Sequence, residues 1–193
     1  MKRYVGLSFV LFFFAAAPAL LAQNHGEAGV FAEYFRFEGT SPVSNFVGIG
    51  GRAAINMNPN VQLEAEMAYD FERNFTSTYT NGISTSFATS KLRPLHGLFG
   101  PKFDFGTGAF RLFVTGKVGF ENLTVTNNGA PTGFVNAVGL GNGSTYFEVY
   151  PGVGIEAFFA GPIGVRLEAG DDIYFNNGAN SNFRISFGPQ FRF

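Results

Sequence analysis

The chain has 193 residues, of which only 14% are charged, and its formal net charge is -1. That length suits one domain, and a chain this poor in charge, with 26 phenylalanines, is not disordered. The near-neutral balance excludes the basic surface of a nucleic-acid binder. The absence of cysteine excludes a disulfide framework, a thiolate metal site and a cysteine nucleophile.

Lys2 and Arg3 precede a nearly unbroken apolar run from Leu7 to Leu21, and Ala22 is followed by the polar Gln23, Asn24 and His25. This is the layout of a secretory signal peptide over 1–22, with cleavage expected after Ala22 and the folded domain over 23–193. The run falls a little short of the ~20 residues that a spanning helix needs. No later apolar run is long enough for a membrane helix, so a helical membrane protein is excluded.

The rest of the chain alternates. Eight period-two segments are expected at roughly 28–37, 45–56, 61–73, 92–105, 110–121, 145–159, 163–174 and 182–193. In the first, Phe31, Glu33, Phe35 and Phe37 share one face, which calls for a bulge or an inward aromatic cluster. The third runs Val61-Gln62-Leu63-Glu64-Ala65-Glu66-Met67-Ala68-Tyr69-Asp70-Phe71-Glu72, with apolar residues at odd positions. In the fifth, Phe110, Leu112, Val114, Val118 and Phe120 oppose Arg111, Thr115, Lys117 and Glu121. In the seventh, Val165, Leu167 and Ala169 oppose Arg166 and Glu168, and Asp172 follows on the charged face. In the last, Phe183, Ile185, Phe187, Phe191 and Phe193 oppose Arg184, Ser186, Gln190 and Arg192.

The connections alternate as well. Asn58-Pro59-Asn60, Gly106-Thr107-Gly108-Ala109 and Ala160-Gly161-Pro162 are tight turns by composition. Longer polar stretches lie between them at 38–44, 74–91, 122–144 and 175–181. An even strand number with turns short at one end and long at the other is the pattern of a transmembrane β-barrel. The expected fold is therefore all-β: an eight-stranded antiparallel up-and-down barrel with short periplasmic turns and longer extracellular loops. Gly100-Pro101, Pro151-Gly152 and Gly188-Pro189 recur on alternate strands and suggest one bulge-like bend repeated around a closed sheet.

Alternation alone does not say which face meets lipid. Aromatic residues near strand ends (Tyr69, Phe71, Phe105, Phe110, Phe120, Phe159, Phe183 and Phe193) suit interfacial girdles. The opposite face carries both signs of charge: Glu64, Glu66, Asp70, Lys102, Asp104, Arg111, Lys117, Glu148, Glu156, Arg166, Glu168, Arg184 and Arg192. Within a narrow lumen such groups must pair, because an isolated buried charge costs several kcal/mol or more. The expectation is an interior charge network. The alternative is a soluble lipocalin-like binder with the apolar face inward.

The ending Phe187-Gly188-Pro189-Gln190-Phe191-Arg192-Phe193 resembles the C-terminal targeting signal of bacterial outer-membrane barrels. That resemblance implies recognition of Phe187, Phe191 and Phe193 by the barrel-assembly machinery. With the signal peptide and eight strands, the chain from 23 to 193 resembles the small barrels of the OmpA-transmembrane-domain and OmpX type. It departs from many of these in lacking tryptophan. The resemblance implies a monomer in outer-membrane lipid, and no periplasmic peptidoglycan-binding domain is expected.

Catalytic signals are thin. His25 lies in the polar start, and His96 shares a face with Lys102 and Asp104. Ser86 and Ser90 lie upstream of His96 without motif spacing, so His96 reads as an interior polar partner. The acids Glu64, Glu66, Asp70 and Glu72 suggest a cation path or divalent site, or pairing with interior bases, and Asp171-Asp172 suggests calcium only weakly. No enzymatic activity, cofactor, metal or nucleic-acid partner is expected. The expected role is structural and surface-interacting, with a narrow or closed polar lumen and loops 74–91 and 122–144 open to an extracellular partner. The alternative within the same fold is a barrel that binds or transports a small or apolar molecule, through a lateral opening near the recurring prolines.

Overall fold

The computed structural model describes residues 25–38, 43–80, 85–106, 108–128 and 144–193. The expected signal peptide over 1–22 lies outside the described residues. The described strands are β1 (Gly26–Phe37), β2 (Ser44–Asn58), β3 (Val61–Asp70), β4 (Arg73–Thr80), β5 (Thr85–Phe105), β6 (Phe110–Asn128), β7 (Ser144–Ala160), β8 (Ile163–Phe175) and β9 (Ala179–Arg192).

All pairings are antiparallel between neighbours, and β1 also pairs with β9, which closes the ring. Both β3 and β4 pair with β5, so they share one of eight wall positions. The seam is sealed at its end by the Gly26 amide donating to the Phe193 carbonyl at 2.9 Å, and by the reverse bond at 2.9 Å. Closure satisfies the edge amides and carbonyls that hydrocarbon cannot.

The expected third segment, 61–73, is broken in the structure. Tyr69 faces Leu95 while Arg73 faces Leu92, so the β3–β4 side carries one residue more than β5. Pro94, which has no amide to donate, stands opposite this break. On the other side the β2 ladder runs on through the break, with the Phe71 amide donating to the Val47 carbonyl at 2.9 Å.

The recurring prolines do not make bulges. Beside Pro101, Pro151 and Pro189 the ladder skips two positions and resumes in the same register: Phe99 faces Val118 and Lys102 faces Thr115, for example. Register shifts elsewhere fall at Asn56/Asn58 and Phe158/Ala160, next to the short turns. A proline removes one N–H from the ladder but adds no residue, so the strand stays in phase.

The expected long loops are shorter than composition suggested. β4 and β5 carry 73–80 and 85–91 as paired strand, and β6 continues to Asn128. Thr124 and Thr126 on β6 are β-branched and suit a partly exposed strand. The rest of 122–144 from 129 to 143 lies outside the described residues. The stretch 175–181 is a tight hairpin, with Asn177 at φ 53° and Gly178 at φ 148°.

The faces are assigned without ambiguity. Val30, Ile49, Met67, Phe99, Leu112, Val153, Phe159 and Phe187 lie exposed on the outer wall, and the expected charged positions other than Arg111 and Arg192 lie buried inside. The girdle residues Tyr69, Phe71, Phe105, Phe110, Phe120, Phe159 and Phe183 are exposed, and Phe193 is half-buried against Phe191. A lipocalin-like inversion is overturned by this orientation. Phe31, Glu33, Phe35 and Phe37 all point inward.

The seam has little room. A Cβ at Gly188 would stand 2.0 Å from the Val30 carbonyl oxygen on β1. Gly188→Ala therefore forces β9 away from β1 and costs about 1–3 kcal/mol. The expected result is a wild-type band that shifts on boiling in SDS gels, and a Gly188→Ala band whose shift needs less heat. An unshifted wild-type band would contradict the closed wall.

Candidate functional site

The lumen is the site, and it is built in tiers because inward residues recur every second position on each strand. Nearest the short turns, Lys102 Nζ lies 3.2 Å from Glu27 Oε2 and 3.3 Å from Asp104 Oδ1, and also pairs with Glu156. Gln190 donates to Glu27 and, at 3.2 Å, to Glu156 Oε1. At the rim, Arg192 Nη2 lies 2.9 Å from Glu27 Oε1.

The middle tier is denser. Lys117 Nζ stands 2.6 Å from Glu64 Oε1, 2.7 Å from Glu66 Oε2 and 3.0 Å from Glu168 Oε1. Arg166 spans Glu64 and Glu168, donating to Glu64 Oε1 at 3.0 Å. Arg52 donates to Glu168 Oε2 at 2.9 Å and to Ser186 Oγ at 3.0 Å. Arg184 joins this tier to the next. It pairs with Glu66 below, and its Nε and Nη1 lie 3.1 Å from Glu33 Oε2 and 3.4 Å from Asp172 Oδ2 above.

The upper tier centres on His96. Its Nε2 lies 3.2 Å from Asp70 Oδ2, and its Nδ1 lies 3.5 Å from Glu148 Oε2 and 3.8 Å from Asp172 Oδ2. Glu121 is its cross-strand partner on β6. Above this tier Phe35, Phe37, Phe46, Leu92, Leu123, Val125 and Tyr174 form one buried apolar cluster across the loop-side end of the lumen. Phe37 stacks on Tyr174 at 5.8 Å, and Phe35 meets His96 edge-on at 4.6 Å.

Inward aromatic rings separate the cations. Arg52 lies 4.2 Å over Phe31, Arg166 4.2 Å over Phe113, Arg184 4.6 Å over Tyr150 and Arg192 3.7 Å over Phe158. A desolvated cation–π contact is worth about 2 kcal/mol. The rings thus fill space and offset part of the desolvation cost of each cation.

Of the expected network residues, Arg111 is the exception. It has inward parity but is half-exposed beside the short turn, where its Nε donates to the Gly108 carbonyl at 3.3 Å. Glu72 also departs from the acid group of the third segment. It falls in the strand break and pairs with Lys91 on the surface at 2.7 Å. Asp171 points outward to Ser181, while Asp172 points inward. The side chains of Ser86 and Ser90 lie outside the described residues. Phe187 and Phe191 are exposed on the outer wall. Sequence reasoning missed Glu27, Glu33 and Arg52 as lumen groups, and it placed Glu121 and Asp172 on the charged face without counting them in the network. Parity was the available signal, since Glu121 follows Lys117 and Asp172 follows Glu168 on the same face.

The outer wall carries an apolar groove of about 820 Å³ beside the interrupted seam ladder, lined by Val30, Ile49, Gly51, Met67, Phe187 and Pro189 among others. It lies where a lateral opening was expected, but the strands on both sides of it stay paired in one register.

Removing one member of the middle tier leaves the others charged and buried. Lys117→Met is expected to destabilise the barrel by about 3–5 kcal/mol in denaturant titrations in detergent. The double variant Lys117→Met/Glu64→Gln should recover part of that loss. A single-variant effect below about 1 kcal/mol would show that these pairs do not hold the lumen together.

The sequence matches the family model of the outer membrane protein beta-barrel domain over residues 5–191. No curated protein matches the chain. Among solved structures it is similar to Neisserial surface protein A, at 12% identity and TM-score 0.56, covering 87% of this chain and 97% of that one. It is also similar to Ail of Yersinia pestis, solved with the heparin analogue sucrose octasulfate, at 12% identity and TM-score 0.53, covering 88% and 97%. The N-terminal β-barrel domain of Pseudomonas aeruginosa OprF follows at 15% identity and TM-score 0.51, covering 89% and 100%. At these identities the structures speak for the fold. With the closed wall, the outward apolar face and the family match together, the chain belongs to the outer-membrane β-barrel proteins.

Proposed function

We propose that this barrel is closed to solutes and serves as a membrane-anchored wall that presents its loop-side rim to an extracellular partner. The observation that carries the reading is the apolar cluster of Phe35, Phe37, Phe46, Leu92, Leu123, Val125 and Tyr174, lying across the lumen above tiers of paired charge. An eight-stranded barrel has an interior just wide enough for its own side chains. Here the ion pairs and aromatic rings supply that filling. A hydrated ion would have to displace both the apolar cluster and the salt bridges below it.

The reading includes no catalysis. His96 is buried beneath the cluster, with Asp70 at its Nε2 and the Phe35 ring edge-on against it. The binding part of the function falls to the rim, where β4, β5 and β6 run on as paired strands past the cap. A rigid strand extension holds its tip at lower entropic cost than a loose loop of the same length.

Purified barrel in planar bilayers is expected to show no stable conductance step, and reproducible steps in the wild type would overturn the closed lumen. The rim is tested separately by deleting 75–90, which removes the β4–β5 extension above the cap. The shortened protein is expected to keep its heat-shifted band while cells lose whatever surface adherence the wild-type barrel confers. Unchanged adherence to every surface tried would remove the β4–β5 rim from the reading.

A further inference from the structure

The upper tier gathers more acid than its bases neutralise. Glu33, Asp70, Glu121, Glu148 and Asp172 are all buried there. They face His96 and Arg184, and Arg184 is shared with Glu66 below. One tier down, Glu64, Glu66 and Glu168 have the same close carboxylate geometry, and Lys117 Nζ sits among them. Among the described residues, no lysine or arginine pairs with Glu148 or Glu121 in the upper tier.

The upper groups are also oriented. With Nε2 held by Asp70, the Nδ1 of His96 turns toward Glu148 and Asp172. That Nδ1 makes no hydrogen bond, and neither do both oxygens of Glu148, both oxygens of Glu121 and Oδ1 of Asp172. These side chains are at most 1% exposed. Buried polar atoms without hydrogen bonds are costly, and His96 Nδ1 and Glu148 Oε2 face one another at 3.5 Å. Ligand atoms of His96, Glu148 and Asp172 lie within 4.8 Å of one another. Ligands about 2.0–2.2 Å from a shared ion stand roughly 3–4 Å apart, which the His96 Nδ1 separations approach.

We propose that His96 Nδ1, Glu148 and Asp172 bind one divalent first-row transition ion, with Asp70 as a positioning residue for the His96 ring. The imidazole nitrogen favours such an ion over calcium or magnesium, which take oxygen ligands. The carboxylate behind the histidine fixes the tautomer that frees Nδ1 for the metal. Glu121, opposite His96, adds charge that the ion offsets. The cap at Phe35 shields the site from the loop side, so the ion enters as the barrel closes.

The full barrel is refolded in detergent with Zn²⁺ or Mn²⁺, passed over a weak chelating resin, and its metal content measured. About one ion per chain is expected to remain in the wild type. Glu148→Gln and Asp172→Asn should lose it, with the heat-shifted band confirming that each variant has closed. Asp70→Asn should bind about 10–100-fold more weakly, and nitrogen NMR should show the His96 tautomer redistributed. A closed wild type holding no ion, or no more than Glu148→Gln holds, would overturn the site. So would a wild-type His96 ring that is protonated on both nitrogens and unmoved by metal, which would make it an imidazolium shared by its three carboxylates. This readout needs no variant to fold.

Discussion

Hydrocarbon offers no partner to a backbone amide or carbonyl, and everything else in this molecule follows from that. The strands must pair on both edges, so β1 must find β9 and the sheet must close. Closure at eight positions leaves an interior that only side chains can fill. The outer face must be apolar because it meets lipid. The inner face is then free to be polar, and in this chain it is strongly charged. The ion-pair tiers are thus a consequence of closure as much as a contribution to it.

Such tiers bring modest net stability, because the desolvation of each charge offsets much of the attraction. Their larger effect is on register. A strand that slipped by one residue would turn its charged face to lipid and its phenylalanines into the lumen. At the bilayer midplane an outward lysine or arginine costs about 2–4 kcal/mol. Lys117, Arg166 and Arg184 each sit on a different strand, so slips of β6, β8 and β9 are penalised independently. The Phe113 and Tyr150 rings add shape to this code, since each must lie beneath particular cations.

Strand number, face assignment and most inward charges were legible in the sequence because period-two alternation survives in single strands. The strand break at Phe71–Glu72 was not, since the apolar-odd pattern continues through it and only the pairing with β5 exposes the extra residue. The prolines misled for a related reason. Composition marks where a hydrogen bond is lost but not whether a residue is added. Threonine-rich stretches read as loops, yet a β-branched residue is equally at home in a solvated strand. In the lumen, Arg111 was misplaced because parity gives the face and not the height along the barrel. The clustering of His96 with Glu148 and Asp172 needs residues of β5, β7 and β8 brought together, and no spacing in the chain announces it.

The span of the ion pairs has a consequence for how the chain enters its membrane. Arg166 answers to Glu64 across 102 residues, Arg184 to Glu66 across 118 and Arg192 to Glu27 across 165. No single hairpin contains both halves of such a pair. A hairpin that inserted alone would carry unanswered charge into hydrocarbon, and each would wait on a strand not yet delivered. The low-energy route keeps the inner face hydrated in a curled, open sheet until β9 meets β1. Water then leaves the interior at about the moment the seam zips shut, so insertion and lumen packing become one cooperative event with a slow, topology-limited rate.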